Sequence, residues 1–91
     1  MADTIAYVLV TTDPGRAKEV AQAVAALNGV HWAAAVSGPC DVIVGAKVAG
    51  SLELSRLVAR IDGLQGVTET ETARMSSFHV GRSTAGVIEP P

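Results

Sequence analysis

The chain repeats itself. Moving Ala17, Val20, Ala21, Val24 and Leu27 forward by 37 positions places them on Leu54, Leu57, Val58, Ile61 and Leu64, an apolar residue on an apolar residue each time. Spacings of three and four put each set on one face of a helix. The same displacement carries Leu27-Asn28-Gly29-Val30 onto Leu64-Gln65-Gly66-Val67, and Ala6-Tyr7-Val8 onto Ile43-Val44-Gly45. A β-rich run thus precedes each helix, and a glycine-valine step leads out of it.

Taken in order, Ile5–Val10 (IAYVLV) is a buried strand. Asp13-Pro14 then reads as a helix cap and first turn. Asn28-Gly29 ends that helix, and Val30–Val36 (VHWAAAV) is the second strand. Asp41–Val48 (DVIVGAKV) is the third, with Ser51 placed to cap the second helix and Gly63 and Gly66 to break it. Val67–Met75 (VTETETARM) alternates with the period of a strand.

Two strand-helix-strand units in tandem, with a short join, predict an α+β, ferredoxin-like βαββαβ sandwich. Its antiparallel sheet has four strands and carries both helices on one face. At 91 residues the chain has room for one domain. Residues 1–75 are expected to form it, and 76–91 a C-terminal extension, with Ser76–Val80 prolonging the last strand before a flexible tail. Hydrophobic residues make up 48% of the chain but aromatics only 3%, so alanine and valine must fill most of the core.

The join is Ser37-Gly38-Pro39-Cys40, followed by a lone carboxylate, Asp41. Glycine beside proline between two β-type runs marks a tight connection. Here the two halves meet, and here a ligand is expected.

A sheet with one wet face should alternate apolar and polar residues. The first three strands do not: Ile5, Tyr7 and Leu9 oppose Ala6, Val8 and Val10, and Val42 and Val44 oppose Ile43 and Gly45. So apolar a second face predicts a dimer formed sheet to sheet.

A net charge of −2 provides no basic field for nucleic acid. One cysteine permits neither an intrachain disulfide nor a multi-cysteine metal site. The Ala/Val-rich part from Val20 to Val36 is interrupted too early to span a membrane, and the N-terminus lacks the pattern of a signal peptide. A cytoplasmic location is expected, with no cofactor and no metal.

Asp41 has two readings, a strand-end carboxylate accepting turn amides or a partner for a ligand's ammonium. Cys40 lacks a base at recognisable spacing and reads as a buried thiol. His31 and His79 stand far apart with no metal-ligand spacing. Trp32, without an aromatic neighbour in sequence, reads as a core or interface anchor. Glu69 and Glu71 share a strand face as a carboxylate pair or as a solvated or salt-bridged interface face.

The order strand, D-P-G, helix, G-V, strand, S-G-x-x-D-V-I-V, helix, G-V-T-E-T-E-T resembles the effector-binding domain of the Lrp/AsnC transcription regulators from about Ile5 to Met75. With no room for a helix-turn-helix domain before Ile5, the chain looks like a stand-alone form. The resemblance implies dimers paired through their sheets, often assembled into octameric rings. It also implies a small effector, commonly an amino acid, held between dimers. Carried over by position, Gly38 would give close backbone approach and Asp41 would meet the ammonium. Pro39 and Cys40 would border the site, and Thr70 and Thr72 of another subunit would add hydroxyls.

The function so implied is a non-enzymatic ligand-binding and oligomerisation module. It would sense an amino acid or similar metabolite and modulate transcription by co-assembling with full-length regulators of the family. The alternative is a small dimeric ferredoxin-like enzyme of the cofactor-free monooxygenase or isomerase type, with His31 as its proton carrier. Regulatory binding in the manner of ACT domains is a third reading on the same fold.

Overall fold

The computed structural model describes residues 3–81. Its elements are β1 (Thr4–Thr12), α1 (Ala17–Ala25), β2 (Val30–Ala35), β3 (Val42–Val48), α2 (Ser51–Asp62) and β4 (Val67–Arg74). The strands form one antiparallel sheet in the order β2-β3-β1-β4, leaving β2 and β4 as its edges. This is the ferredoxin-like arrangement expected from the repeat.

Alternation along the two central strands decides which face is covered. Ala6, Val8 and Val10 of β1 and Val42, Val44 and Ala46 of β3 are buried. They meet Val20, Ala21 and Val24 of α1 and Leu54, Leu57 and Ile61 of α2 in one core. Both helices therefore lie on the same sheet face. Apart from Ile61, the largest fully buried side chains are all valines, so the layer between sheet and helices is filled by small branched residues.

The repeat persists in the hydrogen bonds. After α1 the N–H of Leu27 donates to Val24 O and that of Val30 to Leu27 O, at 2.9 and 3.2 Å. After α2, Leu64 N–H donates to Ile61 O and Val67 N–H to Leu64 O, at 3.0 and 3.2 Å. Each helix leads into its strand through a glycine in the left-handed region, Gly29 at φ +94° and Gly66 at φ +97°. Glycine adopts that backbone without the penalty of a Cβ.

Local caps depart from expectation. Asp13 does not cap α1: its carbonyl accepts the Arg16 N–H in a turn completed by Gly15 at φ +80°. The helix begins only at Ala17, and Arg16 at the N-cap makes no side-chain cap bond. Meanwhile the Asp13 N–H donates to Gly66 O at 2.8 Å, tying the turn to the start of β4. Ser51 is already helical, with Gly50 at the N-cap, and its hydroxyl accepts from Arg74 Nη1 at 3.1 Å instead. Helix α1 ends at Ala25, before the Asn28-Gly29 step, because a tighter turn through Leu27 intervenes.

The last strand also stops short. Met75 N–H donates to Ile5 O at 2.8 Å, after which Ser76–Val80 are not strand, because β1 offers no further rungs. The tail expected to follow lies, from residue 82 on, outside the described residues. Among the described residues no helix is long and apolar enough to cross a membrane.

Candidate functional site

The join between the halves is a hydrogen-bonded corner. Val36 N–H donates to Asp41 O at 2.8 Å, closing the link, and Gly38 turns it at φ +142°. An added Cβ on Gly38 would meet nothing within 4 Å, so backbone conformation rather than crowding requires glycine here.

Asp41 then locks β3 to the end of β1. Its N–H donates to Val10 O at 2.9 Å. The regular β1–β3 pairing ends at Val10↔Val42, so the N–H of Thr12 lies one rung past the ladder. The side chain of Asp41 meets it, Oδ2 accepting the Thr12 N–H at 2.9 Å. A carboxylate thus substitutes for a missing backbone partner, which is the strand-end role.

Beside this corner, on the sheet face away from the helices, is a cavity of about 150 Å³ lined by Leu9, Thr11, Pro39, Cys40, Glu69, Thr70 and Glu71. Its walls come from three places in sequence. Cys40 is only 7% exposed and its thiol is free. Register puts Glu69 opposite Thr11 and Glu71 opposite Leu9, so both carboxylates share the open face. Among the described residues neither has an ion-pair partner.

The cavity brings Pro39 and Cys40 of the link together with Thr70 of β4. Gly38 and Asp41 shape the same corner without lining the cavity. The hydroxyl of Thr70 is turned to the helix side, where it donates to Asp62 Oδ1 at 2.8 Å. Thr72 stands apart in the monomer, bordering a shallow hollow with Leu54, Val58 and Asp62 on the helix side. Leu9 and Thr11 are wall residues that the sequence does not single out. Their place opposite Glu71 and Glu69 follows only from the pairing of the first strand with the last, which no local pattern gives.

A second hollow, of about 240 Å³, lies on the same open face and is lined by Ile5, Tyr7, His31, Trp32, Gly45, Ala46 and Lys47. Trp32, on edge strand β2, is 46% exposed and so is not a core residue. Its aromatic neighbour, absent in sequence, is supplied across the sheet: the Tyr7 ring lies 6.3 Å away, tilted by 47°. Among the described residues, no hydrogen bond orients the His31 ring.

The family described as the Lrp/AsnC ligand binding domain matches residues 5–82. Among solved structures, TTHA0845 from Thermus thermophilus is similar at 28% identity and a TM-score of 0.79, over 86% of this chain and 99% of that one. Hypothetical protein PHS023 from Pyrococcus horikoshii is similar at 25% identity and a TM-score of 0.75, over 84% and 93%. The transcriptional regulator NMB0573 from Neisseria meningitidis, solved as its L-Met complex, shares the fold at 19% identity and a TM-score of 0.72. That match covers 89% of this chain and 54% of the regulator. No curated protein sequence is significantly similar to the chain.

Proposed function

The chain belongs to the Lrp/AsnC ligand-binding domain family, and from that premise we propose that it is a non-enzymatic effector-binding and assembly module. Its effector is a small metabolite carrying an ammonium group, an amino acid foremost. The observation that carries this is the corner cavity, where the Pro39-Cys40 link meets two glutamates that lack ionic partners among the described residues. A carboxylate without a cation is a ready acceptor for an ammonium. The L-Met complex of the Neisseria regulator supports the amino-acid class.

Two protomers pair through their open sheet faces, where Ile5, Tyr7, Leu9, Trp32 and Ile43 form an apolar surface unusual for a free monomer. The corner cavity lies at the margin of that surface. Further association of dimers into rings would bring in the remaining wall, with Thr70 and Thr72 of a neighbouring subunit among its candidates. Co-assembly with regulators of the family would then couple ligand occupancy to transcription.

His31 does not favour the enzymatic alternative. Its hollow opens onto the sheet face rather than between sheet and helices, and among the described residues nothing orients its ring. Isothermal titration calorimetry against the proteinogenic amino acids tests the proposal. Saturable binding of at least one is expected, and no heat from any, with the protein assembled, would overturn it.

A further inference from the structure

The charged groups that line the corner cavity are all of one sign. Glu69 and Glu71 are lining residues, and no lysine, arginine or histidine is. Asp41 adds a third carboxylate at the same corner, with one oxygen committed to the Thr12 N–H.

The cations of the sheet point or pair elsewhere. Strand parity sends Thr70 and Arg74 to the helix side, where Arg74 Nη1 donates to Ser51 Oγ at 3.1 Å. Lys47 is on the open face, but its ammonium lies 3.6 Å from Asp3. It stands opposite Ile5, four residues along β1 from Leu9, a distance of roughly 13 Å. Lys18, Arg56 and Arg60 belong to the helices, behind the sheet.

The rest of the wall offers a carboxylate little. Pro39 has no N–H, and the Thr70 hydroxyl is given to Asp62 at 2.8 Å. Leu9 is apolar. Cys40 is buried, and its free thiol has no hydrogen-bond partner among the described residues. A polarisable sulfur beside leucine and proline suits a methylene stem.

Charge therefore sorts ligands by class. A zwitterion brings one ammonium that the glutamates accept and one carboxylate that they repel. A ligand with two cationic groups satisfies both. Glu69 and Glu71 are two apart on one strand face, so their Cα atoms stand about 7 Å apart. Two ammonium groups joined by about four or five methylenes span that distance.

We propose that the corner cavity selects a dicationic ligand, an unbranched chain with one ammonium for Glu69 and another for Glu71. The inference rests on the effector-binding reading above and narrows it to dibasic amino acids and diamines. The stem crosses Leu9, Pro39 and Cys40, and the two glutamates hold its ends.

Calorimetry on the full chain with matched probes tests the charge requirement. Lysine and norleucine share the amino-acid head and the straight stem, and differ in the terminal ammonium. Lysine is expected to bind roughly ten- to hundredfold more tightly. Norleucine binding as tightly as lysine would overturn the dicationic class and leave an amino-acid effector standing. No binding by lysine, cadaverine or any neutral amino acid would remove both readings. Cadaverine, which is lysine without its carboxylate, separates the two sources. It binds more tightly than lysine to a diamine site, and less tightly where a neighbouring subunit meets the carboxylate. Glu69→Gln with Glu71→Gln should bring lysine and norleucine to equal affinity while thermal unfolding stays unchanged. A preference for lysine that survives the double variant would overturn the assignment to these glutamates.

Discussion

Thr12 donates its backbone N–H to Oδ2 of Asp41 across 2.9 Å, one rung beyond the last β1–β3 pair. This bond assigns Asp41 an architectural task whatever else it binds. Removing the acceptor strands a partly buried N–H, so Asp41→Ala should lower the unfolding free energy by about 1–3 kcal/mol. Asp41→Asn keeps an acceptor oxygen and should cost less. Urea titration of the two variants checks the order, and equal costs would show that the hydrogen bond contributes nothing specific.

Gly45 lies under the Trp32 indole with no room for a methyl group: a Cβ would stand 2.3 Å from both Nε1 and Cε2. Trp32 is on an edge strand and can swing outward, so Gly45→Ala should be tolerated at a cost of about 1–3 kcal/mol. The displaced indole should emit further to the red and lose its tilted contact with Tyr7. Emission unchanged from wild type would mean that the backbone, rather than the side chain, had yielded.

How far these relationships were legible in the sequence depends on their range. The helix stripes and the two glycine-valine exits follow from local periodicity, and the repeat makes them mutually reinforcing. The doubly apolar sheet was legible because alternation fails visibly in three strands. The caps were not, because Asp13 has two uses for its backbone, a turn with Arg16 and a bridge to Gly66, and the second is invisible without the fold. Pro39 and Cys40 could be flagged as neighbours of a site, yet the opposite wall, Glu69 and Glu71, needed the β1–β4 register. Thr70 and Thr72 matched a motif, but strand parity turns the Thr70 hydroxyl to α2 and sets Thr72 beside the same helix.

A core built mainly of valine has few large anchors, and Ile61 is the largest of the fully buried side chains. Ile61→Ala removes three carbons from a site bounded by both helices and the sheet. A loss of about 2–5 kcal/mol is expected, which is a large part of the stability of a domain this size. Leu52, on the outer side of α2, is exposed, and Leu52→Ala should stay within about 0.5 kcal/mol. Thermal unfolding of both variants tests the contrast. Comparable losses would mean that Leu52 is covered by another subunit in solution.

The ligand's ammonium has a choice of three carboxylates, and the geometry ranks them. Asp41 already gives one oxygen to Thr12, whereas Glu69 and Glu71 face the cavity with no ionic partner among the described residues. Replacing both with glutamine preserves size and shape, removes the charge, and exchanges one acceptor oxygen of each carboxylate for an amide donor. The double variant Glu69→Gln/Glu71→Gln should therefore keep its fold and lose about ten- to hundredfold in affinity for the amino acid that the wild type binds. Because both side chains are exposed, the wild-type affinity should also fall as ionic strength rises, and the double variant's should change little. Calorimetry in low and high salt reads both effects. Unaltered affinity in the double variant, with Asp41→Asn abolishing binding, would move the ammonium to the link and leave the glutamates as a solvated edge.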